Sequence, residues 1–243
     1  LMEIFDGDVL LSMQHLRESI KCGEAWHEIY IETTEAIARD TKHPKKWDFD
    51  PSTHGIFAQI DAFRQRCHNL MEVCEGQLQF ARKNLVTEKG VKAPLPAFGG
   101  SRGAEIEKSL YEIEEAFEKY IDRLRKLDYD ILNVKATNWH YDYNYFKNGL
   151  KDLEVMMSNV ISSAWEGVAT VSDGVDILES FYYLAVRAGM RTSVERKTME
   201  LYQMFIGDIK KVKNDFDRNK KDPPLPPGQP RFSGAALWAR SLL

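Results

Sequence analysis

Four stretches carry residue types that could do chemistry. The first is Leu95-Pro96-Ala97-Phe98-Gly99-Gly100-Ser101-Arg102-Gly103, running on to Lys108-Ser109. Glycines ahead of a Lys-Ser pair suggest a phosphate cradle, whose chemistry would be nucleotide binding. A Walker-type loop needs four residues between its first glycine and Gly-Lys-Ser/Thr, with a strand in front to aim the amides. Here Gly103 is followed by Ala104, Lys108 lies five residues on, and Pro94 and Pro96 exclude a central strand. The spacing of Gly99, Gly100 and Gly103 also misses the dinucleotide fingerprint. These glycines therefore read as a structural joint before a helix, not as a cofactor site.

Cys67-His68 and Cys74 raise the question of a metal. The two thiols are seven residues apart on one helical seam, so both face the core, and His68 points about 100° away. Core cysteines are the better reading, and no metal site is expected. Trp139-His140-Tyr141-Asp142 places a histidine near a carboxylate, but neighbouring helical positions do not face each other. No nucleophile stands at a useful spacing, so no catalytic residue is expected. Trp139, His140 and Tyr143 read instead as a buried aromatic junction or a partner surface, with His140 hydrogen-bonded. The fourth stretch is basic: Lys210, Lys211, Lys213, Arg218, Lys220 and Lys221. Asp208, Asp215, Asp217 and Asp222 interleave with them and leave little net field, which makes a solvated helix face the expectation and argues against nucleic acid.

The elements that must position these residues are helical throughout. No segment sustains the period-two alternation of strands. A first helix is expected over Asp8 to Thr41, capped by Asp8, with Val9, Met13, Leu16 and Ile20 as its face and a bend near Gly23. A second follows Asp50-Pro51-Ser52 and carries Ile56, Ile60, Phe63, Cys67, Leu70 and Cys74 at 4-3-4-3-4, to about Leu85. Asp61, Arg64, Gln65, Arg66, Glu72 and Glu75 are expected on its outer faces. Ala104 to about Leu127 holds the strictest seam, Ile106, Leu110, Ile113, Phe117, Tyr120, Leu124 and Leu127. After an interruption at Asp128-Tyr129-Asp130, Ile131 to about Glu166 reads as helix, with Phe146, Leu150, Leu153, Met157, Val160 and Ala164 inward. A shorter helix capped by Ser172 or Asp173 leads to a long one. That last helix opens on a Thr192/Glu195 capping box and shows Val194, Leu201, Phe205, Ile209, Val212 and Phe216. The Pro-rich run 222–230 is a stiff connector. Beyond it, Ser233-Gly234 starts a short apolar helix with Leu237 and Trp238, where Trp238 is a candidate partner contact.

The expectation is an all-α fold, an elongated bundle of long antiparallel helices. A helix of about 36 residues is about 54 Å long at 1.5 Å per residue, whereas a compact globule of this chain length is roughly 46 Å across. Three organisational parts are expected: 1–42, an N-terminal helix; 43–221, a helical bundle with a joint at 90–103; and 222–243, connector and next helix. With 243 residues, 43% hydrophobic and 29% charged, and a formal net charge of -4, the chain suits a folded helical protein. No apolar run reaches the roughly 20 residues that cross a bilayer, so no membrane is expected. Three cysteines, sparse and odd in number, fit reduced thiols. The first residues lack the features of a signal peptide. A non-Met start and an apolar finish at Leu237 to Leu243 fit a piece of a longer chain.

Taken together, several stretches resemble the N-terminal tail region of dynein heavy chains. They are Trp47-Asp48-Phe49-Asp50; Ile56-Phe57 through Asp61, Phe63, Arg66 and Cys67; and Leu95 to Gly100 with Gly103. Further on come Asp130-Ile131-Leu132, Val134-Lys135, Trp139-His140, Asp142-Tyr143, Phe146, Lys151 to Met156, Asn159-Val160-Ile161 and Pro230 to Trp238. The resemblance runs from about Trp47 to Leu243 and looks axonemal, with a lean to the inner arm. Asn133 stands where Asp is more usual, and Trp165 where Phe is. The resemblance implies a non-catalytic scaffold in a microtubule motor of cilia and flagella, with ATP hydrolysis in a motor ring outside this segment. It implies as partners intermediate and light chains or actin-containing subunits, a second heavy chain, and docking factors on the doublet microtubule. An unrelated cytoskeletal adaptor, or a helical ligand-binding or enzyme bundle, is the alternative.

Overall fold

The computed structural model describes residues 4–5, 7–39, 55–81, 103–225, 228 and 230–242. Among them are seven α-helices: α1 Val9–Arg39, α2 Ile56–Phe80, α3 Gly103–Arg125, α4 Trp139–Trp165, α5 Val171–Phe181, α6 Ala188–Asn219 and α7 Arg231–Ser241. A 3-10 turn, Tyr182–Val186, joins α5 to α6. No described residue lies in a strand, so the all-α expectation holds. Residues 1–160 make one compact unit and residues 161–243 another, a division that no break in composition marks.

In the first unit α1 and α2 run antiparallel. Gln77 on α2 donates to the Ile4 carbonyl, Arg64 bonds Glu24 at 2.9 Å, and Tyr30 meets Phe57 edge-on at 5.1 Å. The start of α1 forms as its sequence dictates, with the Asp8 carboxylate accepting from the amides of Leu10 and Leu11. The helix is continuous through Gly23, where a bend was expected. That glycine has another use: a Cβ there would sit 2.6 Å from Cδ of Arg64, so its absence lets α2 come close. The expected cap at Asp50-Pro51-Ser52 lies outside the described residues, as does the stretch beyond Ala81 towards Leu85. The observed N-cap of α2 is Gly55, at φ 69°, a left-handed conformation that suits glycine.

Helices α3 and α4 complete this unit. They too are antiparallel, with Phe117 against Phe146 at 6.2 Å and Arg123 over the Tyr145 ring at 4.0 Å. Phe80 of α2 joins Phe117 at 5.8 Å. The α3 seam buries Ile106, Leu110, Ile113, Phe117, Ile121 and Leu124. Each such burial contributes about 1.5–3 kcal/mol, so this one stripe supplies on the order of 10 kcal/mol. The expected Tyr120 gives way to Ile121, because 3.6 residues per turn drifts off a strict heptad. Tyr120 instead lies across Gly149, where a Cβ would be 2.4 Å from its ring. All six residues expected inward on α4, from Phe146 to Ala164, are buried.

The second unit begins inside the last turns of α4. Thr170 caps α5 in a reciprocal box with Asp173, two residues ahead of the expected Ser172. Those hydrogen bonds hold the Asp173 carboxyl below its usual range. Phe181, Leu184, Met190 and Val194 are buried, and Lys197 sits over the Trp165 ring at 5.4 Å. A Cβ at Gly174 would lie 2.6 Å from Leu201 and 3.3 Å from Trp165, so the larger ring at position 165 is matched by a glycine. The expected Thr192/Glu195 capping box does not form. α6 starts at Ala188, after an extended Arg187 (φ -79°, ψ 133°), and runs through Thr192, so Thr192 stands inside the helix and cannot cap it. Likewise α7 starts at Arg231, before Ser233-Gly234.

Candidate functional site

The residues singled out for chemistry meet best around Trp139, at the start of α4. The expectation of helix from Ile131 fails here. Residues 126–138 form a run of turns, with the Asn133 amide on the Asp130 carbonyl and the Ala136 amide on the Asn133 carbonyl, each at 3.0 Å. Asp130 Oδ1 accepts from the Leu132 amide at 2.9 Å, and Asn133 Oδ1 from the Lys135 amide at 3.0 Å. Asx turns of this kind compete with helix. Because such a turn needs only a side-chain oxygen, Asn133 serves where an Asp would.

What locks these turns is Arg66, expected on the solvent face of α2 and in fact 7% exposed. Its guanidinium donates to the Ile131 carbonyl, to Asn133 at 3.4 Å and to Ala136 at 3.3 Å. It also stacks 5.0 Å from the Trp139 ring. Burial lowers its pKa from the usual arginine value, but the group stays charged and its charge is answered by three carbonyl dipoles. A planar fork suits this arrangement in a way that an ammonium does not. A second stripe on α2 pointed to it: Phe63, Arg66, Leu70, Val73, Gln77 and Phe80 follow 3-4-3-4-3, and from Arg66 onward all are buried.

Trp139 is 2% exposed and stacks on Tyr143 at 5.8 Å. With the Asn69 amide turned to satisfy both its ends, its oxygen accepts from the indole N–H at 3.2 Å. The Tyr143 hydroxyl donates to the Glu72 carboxylate, which Lys147 approaches at 3.8 Å. Beside them the Tyr129 hydroxyl donates to Asp142 at 2.8 Å; burial first, then that carboxylate, pushes the Tyr129 hydroxyl well up. His140 is exposed and pairs with Asn144 at 2.9 Å. Of the expected trio, Trp139 and Tyr143 are therefore packed between helices and His140 faces outward.

The remaining candidates separate from this cluster. Gly103 is the buried first residue of α3, while Gly99 and Gly100 lie outside the described residues. Cys67 and Cys74 are fully buried. Burial raises the Cys67 thiol and pushes Cys74 up to about 12, which disfavours the nucleophilic thiolate at both. Among the described residues no three His, Cys, Asp or Glu side chains converge as a metal site. No described helix is long and apolar enough to cross a membrane. The basic stretch of α6 is paired along its own helix, Lys211 with Asp208 at 2.9 Å and Lys220 with Asp217 at 2.8 Å. Trp238 on α7 stacks on Phe216 at 5.8 Å.

The polar groups around Trp139 are thus spent on holding helices and turns together, which defines a helical packing module. The family model for dynein heavy chain, N-terminal region 1, matches residues 1–243, and the chain belongs to this family. It is 45% identical, over its whole length, to the dynein-1-beta heavy chain of the flagellar inner arm I1 complex of Chlamydomonas reinhardtii. It is 43% identical over 171 residues, 70% of the chain, to dynein axonemal heavy chain 2 of Mus musculus. The match to the flagellar outer-arm dynein beta chain of Chlamydomonas reinhardtii is 25% over 232 residues, 96% of the chain. The chain spans only 4–5% of the length of these relatives.

Proposed function

We propose that this chain is a non-catalytic tail segment of an axonemal dynein heavy chain, of the inner-arm type, working in cilia or flagella. The observation that carries this reading is the 45% identity over the whole chain to an inner-arm heavy chain, against 25% to an outer-arm one. Its task is mechanical and connective. Helical seams hold each unit together, and exposed faces are left for intermediate or light chains, actin-containing subunits and docking factors. Gly99, Gly100 and Gly103 act as a joint that turns the chain into α3, and Trp139 and Tyr143 as packing residues that fix the start of α4. His140 is exposed, and Trp238 is half-buried against Phe216. Motor ATPase activity would reside elsewhere in the heavy chain.

The test is placement and loss. A tag inserted in this segment should appear at the inner arm in electron microscopy of axonemes, and deleting the segment should remove that arm while leaving outer arms in place. A tag at the outer arm overturns the inner-arm assignment. Stoichiometric, magnesium-dependent ATP binding by the 243-residue chain in calorimetry overturns the non-catalytic one.

A further inference from the structure

The second half of α6 carries an apolar stripe that α7 covers only at its far end. Tyr202, Phe205, Ile206, Ile209 and Val212 are each between 39% and 59% exposed. Phe216, the next residue of the stripe, takes the Trp238 ring of α7 in a parallel stack, with centroids 5.8 Å and planes 7° apart.

Two contacts fix the course of α7. Arg231 at its start reaches Asp222, just past the end of α6, at 3.9 Å, and Trp238 lies on Phe216. Seven residues forward along α7 therefore match six residues back along α6. The two helices are antiparallel, and both advance by about 1.5 Å per residue. Burial marks the face that α7 turns inward. Gly234 is buried, and Trp238 and Leu242, each four residues further on, are half-buried. Phe232 and Leu237 lie off that line and are exposed. In this register Leu242 comes level with Val212. A helix that kept to the same line would pass Ile209, Phe205 and Tyr202 within about ten more residues, roughly 15 Å.

The family match is to an N-terminal region, and the chain spans 5% of the length of its inner-arm relative. In a heavy chain, then, a long stretch of polypeptide follows this one. We propose that the apolar stripe of α6 is the docking face for the continuation of α7 in the same heavy chain, which runs on as an antiparallel helix and closes an α6–α7 hairpin. The tether selects this occupant. A segment held by the short connector 222–230 meets the stripe at an effective concentration on the order of millimolar, which a separate partner does not match. Helix length points the same way. α7 has 11 residues, fewer than the roughly 12–15 at which an isolated helix becomes even marginal in water, and further turns against the stripe would remedy that. The continuation should carry apolar residues three and four apart, in line with Gly234, Trp238 and Leu242. The inference rests on the chain being a heavy-chain segment and not on the inner-arm assignment.

Two measurements test it. The first uses the 243-residue chain with Cys22→Ser, since Cys22 is the exposed thiol. In that background Val212→Cys with Leu242→Cys should be joined within one molecule by a short bismaleimide, whereas Val212→Cys with Arg231→Cys should not. The reverse result overturns the register. The second places p-benzoylphenylalanine at Phe205 in the assembled heavy chain and maps the photoadduct by mass spectrometry. The adduct should fall on the same chain, within about 20 residues after Leu243. An adduct on a second heavy chain or on an accessory subunit overturns the proposal and leaves the tail reading standing, and so does the absence of an adduct. If the Phe205 variant does not assemble, the same probe at Ile209 reads the same contact.

Discussion

Helices α3 and α6 present apolar residues at a similar alternation of three and four. On α3 the six seam residues are at most 8% exposed, gripped by α2 and α4. On α6 Val194 is buried, but Phe205, Ile209, Val212 and Phe216 are 39–51% exposed. The pattern alone states that a helix has a face for something; it does not state whether that something lies in the same unit. The flanks do not distinguish them: Lys108 pairs with Glu112 at 3.8 Å along α3, and Lys211 with Asp208 at 2.9 Å along α6.

This contrast can be broken most strongly at Phe117. Phe117→Ala should cost about 3–5 kcal/mol, the usual range for emptying a packed aromatic site, read as a fall in the urea midpoint at unchanged slope. Arg66→Leu should come next, at roughly 3 kcal/mol, because it leaves the buried Ile131 carbonyl and the part-buried carbonyls of Asn133 and Ala136 without their donor. Arg66→Lys should recover only part of that loss, since one ammonium cannot span three carbonyls. Gly149→Ala should cost about 1–3 kcal/mol by forcing the Tyr120 ring aside, with a change in near-ultraviolet circular dichroism as its signature. Phe205→Ala, chemically the same truncation as at Phe117, should move stability by less than about 0.5 kcal/mol in dilute solution. A large effect there would show that the face is already covered within the monomer.

A smaller and separate effect belongs to the α5 cap. The Asp173 pKa is depressed in the fold, so its contribution is complete above the ordinary carboxylate pKa and is lost as pH falls through the folded value. Helicity of the second unit should decline slightly in that acid window. Thr170→Ala should remove the dependence.

Much of the fold was legible in the sequence where local spacing decides it. The α4 face from Phe146 to Ala164, the first turns of α1 behind Asp8, and the burial of Cys67 and Cys74 follow from periodicity and capping. The misses have different causes, and only one of them is a distant partner overriding a local preference. Residues 131–138 read as helix because the acceptor-rich turns are held by Arg66, some 65–70 residues away. Thr192 and Glu195 look like a cap, but α6 has already begun at Ala188. Tyr120 and Ile121 exchange places because α3 keeps its own winding of 3.6 residues rather than a strict heptad. At the candidate site Trp139 and Tyr143 could be singled out as aromatics. Arg66 could have been found only by following the second stripe of α2.

The span between Arg66 and its carbonyls also sets a clock. Arg66 is made first, and the last of its acceptors, Ala136, is 70 residues downstream. At 5–20 residues per second a ribosome needs roughly 4–14 s to supply them. For that interval α1 and α2 can pair, but the guanidinium has only water to bond. The first unit therefore cannot close as its N-terminal hairpin emerges; it must wait for the turns ahead of α4. A translational pause after the Arg66 codon would lengthen that exposed interval without changing a single native contact.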